Sequence, residues 1–330
     1  MLTFKKPNIL TAIVLAIIFL HVSILAQQNK QLTLKEKSSY IEKAAKLLND
    51  NYVFPDIALN IEKHLKSQLA KGEFEKIASI QEFAVKLTSE MQSVSKDKHM
   101  RCRANSGSPG GTAPVRPNFE VKGLKEETNF SFARAGKLDG NVGYFEIFNF
   151  PPVQRVKNNA DDAMKFLSDS KAIIIDLRRN TGGNPDLIQY ICSYFFDKPT
   201  HINSIYWRSS NKTIDFVTFE KVDGKKMGNV PIFVLTSSFT FSGGEEFAYN
   251  ILTQKRGLLI GEVTGGGANP GGSFPISDEL SLFVPTGRAI NPITKTNWEG
   301  IGVVPDIKTE VSKAFDMAYP KAVQAAKEMK

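Results

Sequence analysis

Cysteine is almost absent from this sequence, and histidine is scarce. The two cysteines among 330 residues, Cys102 and Cys192, cannot build the disulfide framework of a small secreted scaffold, and they lack the close pairing of a zinc motif. One disulfide and two separate buried thiols both fit their spacing.

The net charge of +8 is spread without a lysine and arginine cluster, which argues against nucleic acid as a partner. No internal repeat is visible, and 42% hydrophobic residues indicate an ordinary globular protein.

The first 26 residues have the order of a secretory signal peptide. Basic residues precede an apolar run over residues 9–20, and Ser23, Ile24, Leu25 and Ala26 follow it. We therefore predict a signal peptide over residues 1–26 and an exported protein that works in the periplasm or outside the cell. The alternative is a retained membrane anchor formed by residues 9–26, which are almost numerous enough to span a bilayer. Membrane contact is expected only in that second case.

A small helical domain is predicted over residues 33–103. Within it the apolar residues recur at the three-residue and four-residue spacing of helices that bury one face. Ser79 and Glu82 form a capping-box pattern at the start of a third helix, and Gly72 would end the second. Residues 104–117 are rich in glycine, proline and serine, so we predict a linker there.

The remainder of the chain, residues 118–330, is predicted as a catalytic α/β domain. Three runs of apolar residues have the length of buried strands, and two of them lead through polar loops into amphipathic helices. Such alternation indicates helices packed on a sheet. The three predicted strands cover residues 172–177, 231–236 and 258–263.

Two strand-to-helix junctions carry the strongest chemical signals. Such turns expose backbone N–H groups at the positive end of a helix, where a developing oxyanion can be held. The first is DLRRNTGG at residues 176–183, and the second is TFSGGEE at residues 240–246. In the second, Ser242 is placed as a nucleophile with the Gly243 N–H beside it. The spacing of Ser242 and Glu245 also matches a capping box, so a plain helix cap is the alternative.

A serine nucleophile needs a base, because an unassisted hydroxyl is weakly nucleophilic at neutral pH. Beyond the predicted signal peptide the chain has three histidines. His64 lies among lysines on a predicted helix, where a solvated surface position is expected, and His201 lies in an apparent loop. His99 stands at the end of the helical domain, where a turn would point it toward the core. The residues alone leave the identity of the base open.

Four segments, in this order, resemble the tail-specific, or C-terminal processing, protease family. They are DLRRNTGG, TSSFTFSGGEEFAYNI, GEVTGGGANPGG and GRAINPITKTNWEGIGVVPDI, within residues 142–307. The helical domain, with NYVFPDIA, resembles that of the branch containing the modules of interphotoreceptor retinoid-binding protein. The resemblance implies a crotonase-like, ClpP-like spiral of strand and helix units, and the short linker argues against an interposed PDZ module. It also implies hydrolysis of a peptide or protein substrate through an acyl-enzyme, without a metal or organic cofactor.

The resemblance selects Ser242 as the nucleophile, because the family serine lies three residues before the glutamate that opens the following helix. It implies one oxyanion donor at the Gly243 N–H and a second at Gly182 or Gly183. Bacterial processing proteases carry a lysine 25 residues beyond the serine, and here that position is Gly267. A serine and lysine dyad is therefore excluded at that site.

The branch that resembles the tricorn protease core implies a different base. Its histidine and glutamate positions correspond to His99 in DKH and Glu299 in WEGIGVVPD. His99 would take the Ser242 proton and return it to the leaving amine, while Glu299 would orient the imidazole. A surface carboxylate is the alternative for Glu299.

The main rival function is a non-catalytic binding module for an apolar ligand such as a retinoid or another lipid. The retinoid-binding relatives share the expected fold, and fold alone does not decide function. Ser242, His99 and Glu299 favour an enzyme, whereas a large apolar cavity with these groups far apart would favour binding. The sequence carries no signal for the oligomeric state.

Overall fold

The computed structural model describes residues 31–105, 117 and 119–329. The predicted signal peptide, residues 1–26, and most of the predicted linker, residues 104–117, lie outside the described residues. Within the described part, every helix is too short or too polar to cross a membrane.

Three helices follow one another near the N-terminus, where the sequence predicts them. Two of them start at a capping box, in which the Thr33 and Ser79 hydroxyls accept hydrogen bonds of 3.2 Å from the N–H groups of Glu36 and Glu82. After the second helix, Gly72 turns the chain with a φ of +78°. The helices are α1 (Leu34–Asn51), α2 (Pro55–Ala70) and α3 (Ile80–Ser95).

The rest of the described chain alternates strands with helices. The strands are β1 (Arg101–Ala104), β2 (Lys125–Phe130), β3 (Ala133–Leu138), β4 (Val142–Ile147), β5 (Ala172–Asp176), β6 (His201–Trp207), β7 (Lys212–Val217), β8 (Ile232–Thr236), β9 (Leu258–Gly261), β10 (Gly271–Ser277), β11 (Leu280–Pro285), β12 (Gly287–Ile290) and β13 (Ile307–Lys308). The further helices are α4 (Val153–Leu167), α5 (Pro185–Ser193), α6 (Gly243–Thr253) and α7 (Ala314–Glu328).

Seven strands form the main sheet, in the order β13, β9, β8, β5, β4, β3, β2. The strands from β13 to β4 in this order are parallel, and β3 and β2 continue the sheet antiparallel. The residues of β5 and β8 are all buried, which explains their uninterrupted apolar sequence. Helices α4, α5 and α6 pack on one face, and α7 covers the other. The predicted α/β fold class and its three buried strands are confirmed.

The helices α1 to α3 share one hydrophobic core with the hairpin of β10 and β11. Leu282 and Val284 of the hairpin are buried together with Leu48, Phe83 and Leu87 of the helices. Strand β1 pairs with β11 and completes a small sheet in the order β1, β11, β10. This sheet brings the chain immediately before β1 to the edge of the α/β part.

The third sheet has the order β12, β6, β7. Strand β6 begins at His201, so the expectation of a loop at this residue is wrong. The strand is held by pairing with β7 and β12, both of which lie later in the chain.

The two cysteines are separate buried thiols, Cys102 on β1 and Cys192 in α5. Of the two possibilities that the sequence leaves open, a disulfide and two separate thiols, the structure has the second. Burial raises the pKa of the Cys102 thiol to about 12 and also raises the pKa of Cys192. Both thiols are therefore protonated, and poorly reactive, at neutral pH.

Candidate active site

Ser242 lies at the turn between β8 and α6, in a strained backbone conformation. Its φ of +55° and ψ of −120° are rarely adopted by residues with a Cβ. The Ser242 N–H donates to the Glu245 carboxylate at 2.8 Å, which fixes the turn. The Ser242 Oγ lies 2.9 Å from Nε2 of His99. A plain helix cap requires no such histidine, so the turn has the features of a nucleophile site.

His99 comes from the turn between α3 and β1, 143 residues before Ser242. Its ring lies between Phe241, with ring centroids 4.7 Å apart, and Phe283, with centroids 5.8 Å apart. Burial lowers the pKa of His99 to about 4, and the positive charge of Arg101 acts in the same direction. The imidazole is therefore neutral at pH 7, and Nε2 can accept a proton from the serine.

The glycine loop after β5 passes directly beside Ser242. A Cβ on Gly182 would lie 2.7 Å from Ser242 Cβ, and a Cβ on Gly243 would lie 2.9 Å from Gly183 N, so only glycine permits this approach. The Gly182 N–H already donates to Asn180 Oδ1 at 2.8 Å. Within the described residues, the Gly183 and Gly243 N–H groups have no protein acceptor. Two of the three glycines named from the sequence thus have a donor available beside the serine hydroxyl.

Glu245 joins the nucleophile turn to the loop that follows β9. Its buried carboxylate accepts hydrogen bonds from Thr264 Oγ1 at 2.5 Å and from the N–H groups of Gly266 and Gly267 at 2.6 and 2.9 Å. Burial raises the pKa of Glu245, whereas its donors, including the Ser242 N–H, favour the ionised form. The sequence indicates Glu245 only as half of a capping box, because contacts with a distant loop leave no local pattern.

Gly267 stands where the processing proteases described above carry lysine, and the structure has no room for a side chain there. A Cβ at this position would lie 2.3 Å from Phe241 Cζ and 2.8 Å from His99 Cε1. The Trp298 Nε1–H donates to Gly267 O at 2.8 Å and holds the backbone in place. The histidine ring and its aromatic neighbour occupy the space that a longer residue would need.

Glu299 lies near His99, but its hydrogen bonds go to the backbone. Its Oε1 accepts from the Lys98 N–H at 3.2 Å, and its Oε2 accepts from the N–H groups of Ala268 and Asn269 at 2.5 and 3.2 Å. One Glu299 oxygen lies within 4.8 Å of a His99 ring nitrogen. His99 Nδ1 is buried and has no hydrogen-bond partner among the described residues. The structure thus brings the three expected residues together, with a direct hydrogen bond only between histidine and serine.

Asp97 is a second carboxylate at the histidine, and it is not among the site residues predicted from the sequence. Its Oδ1 accepts from the His99 N–H at 3.0 Å, and its Oδ2 accepts from Asn269 Nδ2 at 2.9 Å and from the Tyr52 hydroxyl at 3.2 Å. Burial raises the pKa of Asp97. Burial, followed by the charge of Asp97, raises the pKa of Glu299 to about 7. The Asp-x-His spacing in SKDKHMRC was the available signal.

Asp97, His99 and Glu299 also have the composition of a metal-binding group, because their ligand atoms lie within 4.8 Å of one another. Among the residues that the structure describes, no other group of histidine, cysteine and acidic side chains is this close. The carboxylate oxygens already accept the hydrogen bonds given above, and the histidine contacts Ser242 through Nε2. We therefore interpret the group as part of the serine site.

The other two histidines in the described part of the chain have partners of their own. His64 Nε2 lies 2.6 Å from a Glu90 carboxylate oxygen, and His201 Nε2 lies 2.8 Å from the Ser204 hydroxyl. Neither histidine lines the cleft that contains Ser242. His99 is the histidine that the structure brings to this serine.

The cleft above Ser242 and His99 has a volume of about 670 Å³. Phe239, Phe241 and Phe283 provide apolar surface along it, and the glycine loop lines its edge. This size is within the range of small-ligand sites and suits a short segment of extended peptide.

Comparison with known proteins shows the family to which the chain belongs. A family model described as peptidase family S41 matches residues 141–309, which is about half of the chain. A second model, described as the N-terminal domain of peptidase S41 in eukaryotic IRBP, matches residues 23–129. The class of the protein is thus that of the serine-type peptidases. More narrowly, the chain belongs to peptidase family S41, and the resemblance inferred from the ordered motifs is confirmed.

One similar curated protein is the chloroplastic carboxyl-terminal-processing peptidase 2 of Arabidopsis thaliana, 28% identical over 177 residues. The match includes 52% of this chain but only 32% of that relative, so the chain spans about a third of its length. Among solved structures, a candidate peptidase from Parabacteroides merdae matches with a TM-score of 0.64 and 17% identity, over 87% of this chain and 96% of that one. The tricorn protease matches with a TM-score of 0.54 and 14% identity, over 88% of this chain and 37% of that one. At these identities the two structures confirm the fold.

Proposed function

We propose that this protein is an exported peptidase that hydrolyses peptide bonds in peptide or protein substrates, with Ser242 as nucleophile and His99 as base. The observation that carries the proposal is the 2.9 Å separation of Ser242 Oγ and His99 Nε2 at a helix N-terminus. Export depends on residues 1–26, which lie outside the described residues, and it stays a prediction from the sequence.

The first half of the reaction forms an acyl-enzyme. Neutral His99 takes the Ser242 proton at Nε2 while Oγ attacks the substrate carbonyl carbon. The carbonyl oxygen becomes an oxyanion, to which the N–H groups of Gly243 and Gly183 donate. The carbon–nitrogen bond then breaks, and His99 returns the proton to the leaving amine. A water molecule, deprotonated by the same histidine, hydrolyses the resulting ester and regenerates the serine.

Glu299 and Asp97 stabilise the imidazolium that forms during each proton transfer. With Nε2 accepting the serine proton, the neutral ring carries its hydrogen on Nδ1, which has no partner in the resting site. A Glu299 oxygen within 4.8 Å provides negative charge in a largely buried environment, where charge interactions are strong. Its hydrogen bonds with three backbone N–H groups hold this charge in place before the reaction begins.

Binding of an apolar ligand without catalysis has less support. That function would be favoured by a large apolar cavity with Ser242, His99 and Glu299 far apart. Ser242 and His99 are instead within hydrogen-bond distance, and two arginines, Arg101 and Arg103, line the cleft.

Labelling with a fluorophosphonate probe tests the peptidase proposal. We expect the folded wild-type chain to form a covalent adduct on Ser242, located by peptide mass mapping, because the probe reacts with an activated serine. Heat-unfolded protein is the control and should remain unlabelled. A folded wild-type chain that neither labels nor cleaves any member of a peptide library would overturn the hydrolase proposal. An adduct on Ser237 or Ser238 would overturn only the assignment of the nucleophile.

The pH dependence of kcat/KM should report the ionisation of the Glu299 carboxyl group. The pKa of Glu299 is raised to about 7, so the residue loses its negative charge as the pH falls through this value, and kcat/KM should fall with it. In Glu299→Gln the plateau should be lower and the acid limb should move toward about pH 4, where His99 itself becomes protonated. The measurement is kcat/KM from pH 4 to pH 9.

Glu310→Gln serves as the matched control for this profile, because Glu310 is an exposed carboxylate paired with Lys313. Its profile should coincide with that of the wild type. An acid limb that stays in place in Glu299→Gln would contradict the assigned role of Glu299.

A further inference from the structure

Two arginines line the active-site cleft without an acidic partner. Arg101 and Arg103 lie on β1, and both are exposed. Among the described side chains that line the cleft, none is acidic. Neither arginine forms an ion pair with a carboxylate in the described part of the chain. The positive charge of the cleft is therefore not neutralised by the described protein.

The small sheet determines where these arginines stand. Arg101 is paired with Phe283, which is paired in turn with Ser273, and Arg103 is paired with Ser281. All five residues line the cleft, so one face of the sheet forms its wall. Side chains two residues apart on a strand share a face and stand about 6.6 Å apart. The two guanidinium groups thus follow one another along the cleft.

Arg101 is held in position beside the nucleophile turn. Its Nε–H donates to Lys98 O at 2.9 Å, and its guanidinium lies over the Phe241 ring, 5.5 Å from the centroid. Phe241 directly precedes Ser242 in the chain and packs against His99. These contacts leave both Nη groups of Arg101 without a protein acceptor among the described residues. A substrate group is therefore free to use them.

The electrostatics of the cleft favour binding of an anion. Partial desolvation of the guanidinium group lowers the pKa of Arg101, although the residue is exposed at its edge, and the charge of Arg103 acts in the same direction, so the two cations are close enough to repel each other. A cleft lined by charge of one sign concentrates ligands of the opposite sign. The planar guanidinium group donates two parallel hydrogen bonds to a carboxylate, which gives such a ligand a defined orientation.

We propose that Arg101 and Arg103 form a carboxylate-binding subsite that selects substrates with a carboxylate within a few residues of the scissile bond. The subsite rests on the proposed peptidase function and specifies its substrate class. In a peptide the carboxylate is either the side chain of aspartate or glutamate or the free C-terminus. Both sources present the same planar anion to the arginines.

The test compares matched peptides that differ only in the carboxylate. One series replaces glutamine by glutamate at successive positions around the cleaved bond, and the other compares a free C-terminus with its amide. We expect the wild-type chain to prefer the carboxylate form in one series by about tenfold or more in kcat/KM, mainly through a lower KM. In the Arg101→Gln, Arg103→Gln double variant the preference should fall to about twofold or less.

Arg155→Gln is the control for loss of charge, because Arg155 is exposed on α4, outside the cleft, and its substitution removes one positive charge, as each of the two cleft substitutions does. The full carboxylate preference should persist in this variant. Fluorophosphonate labelling of the double variant verifies that the serine site remains assembled.

A preference for internal glutamate identifies an acidic side chain as the ligand, and a preference for the free terminus identifies the C-terminal carboxylate. Equal cleavage of the charged and neutral peptides, or a preference that survives in the double variant, overturns the subsite.

Binding to the Ser242→Ala chain keeps this test independent of turnover. Fluorescence anisotropy of the same labelled peptides should show tighter binding of the carboxylate forms, and the two arginine substitutions should remove the difference. If the wild-type chain hydrolyses nothing but this binding difference is found, the subsite stands and the peptidase proposal fails. Equal binding of charged and neutral peptides overturns the subsite whether or not the enzyme is active.

Discussion

Replacement of Ser242 by alanine is expected to lower kcat by about 10⁵-fold or more, with KM changed little. The substitution removes the hydroxyl that lies 2.9 Å from His99 Nε2 and leaves the glycine loop and the cleft wall in place. Without this oxygen no acyl-enzyme can form, so only the assistance of the oxyanion donors to attack by water remains. Steady-state cleavage of a peptide substrate, together with loss of fluorophosphonate labelling, measures the effect.

Ser238→Ala is the matched control, because this neighbouring serine donates to the Glu262 carboxylate at 3.0 Å and has no contact with His99. It should retain most of the wild-type activity. Full activity in Ser242→Ala would show that another residue is the nucleophile.

Replacement of His99 by alanine should lower kcat by about 10⁴-fold or more, because Ser242 then has no base to take its proton. The double variant with Ser242→Ala should be hardly less active than Ser242→Ala alone, since residues that act as one unit have non-additive effects. This comparison distinguishes a catalytic histidine from one that only supports the fold, for which the two losses would multiply.

His64→Ala is the control for the histidine substitution, because His64 belongs to the same helical part and contacts Glu90 instead of the serine. Circular dichroism establishes that both histidine variants are folded. A His99→Ala chain that retains more than about a tenth of wild-type kcat would contradict the role of His99 as base.

The elements of the fold could be predicted where the signal is local. The uninterrupted apolar runs of β5 and β8 mark strands buried on both faces, and the Ser79 capping box marks the start of α3. The sequence does not indicate strand β6 at His201, because this strand forms through pairing with β7 and β12 and has no strong pattern of its own. Pairing between distant segments is not encoded in the spacing of residues along one of them.

The residues of the candidate site likewise fall into those that motifs in the sequence identify and those that only the folded chain brings together. Ser242 could be selected because four ordered motifs surround it, and His99 and Glu299 followed from the same resemblance. The hydrogen bonds that the Glu245 carboxylate accepts from the loop after β9 could not be predicted, since this loop lies 19 to 22 residues further along the chain. The role of Asp97 was equally hidden, because its contacts with the distant Asn269 exist only in the folded chain.

The position of His99 in front of β1 has a consequence for how the chain could be divided. The segment that carries His99 is attached to the part that carries Ser242 by pairing of β1 with β11 and by the shared core of helices and hairpin. In sequence the two parts meet only through residues 106–116, between β1 and the α/β part. If the two parts were made as separate chains, we therefore expect activity only where they associate, so it should depend on their concentration.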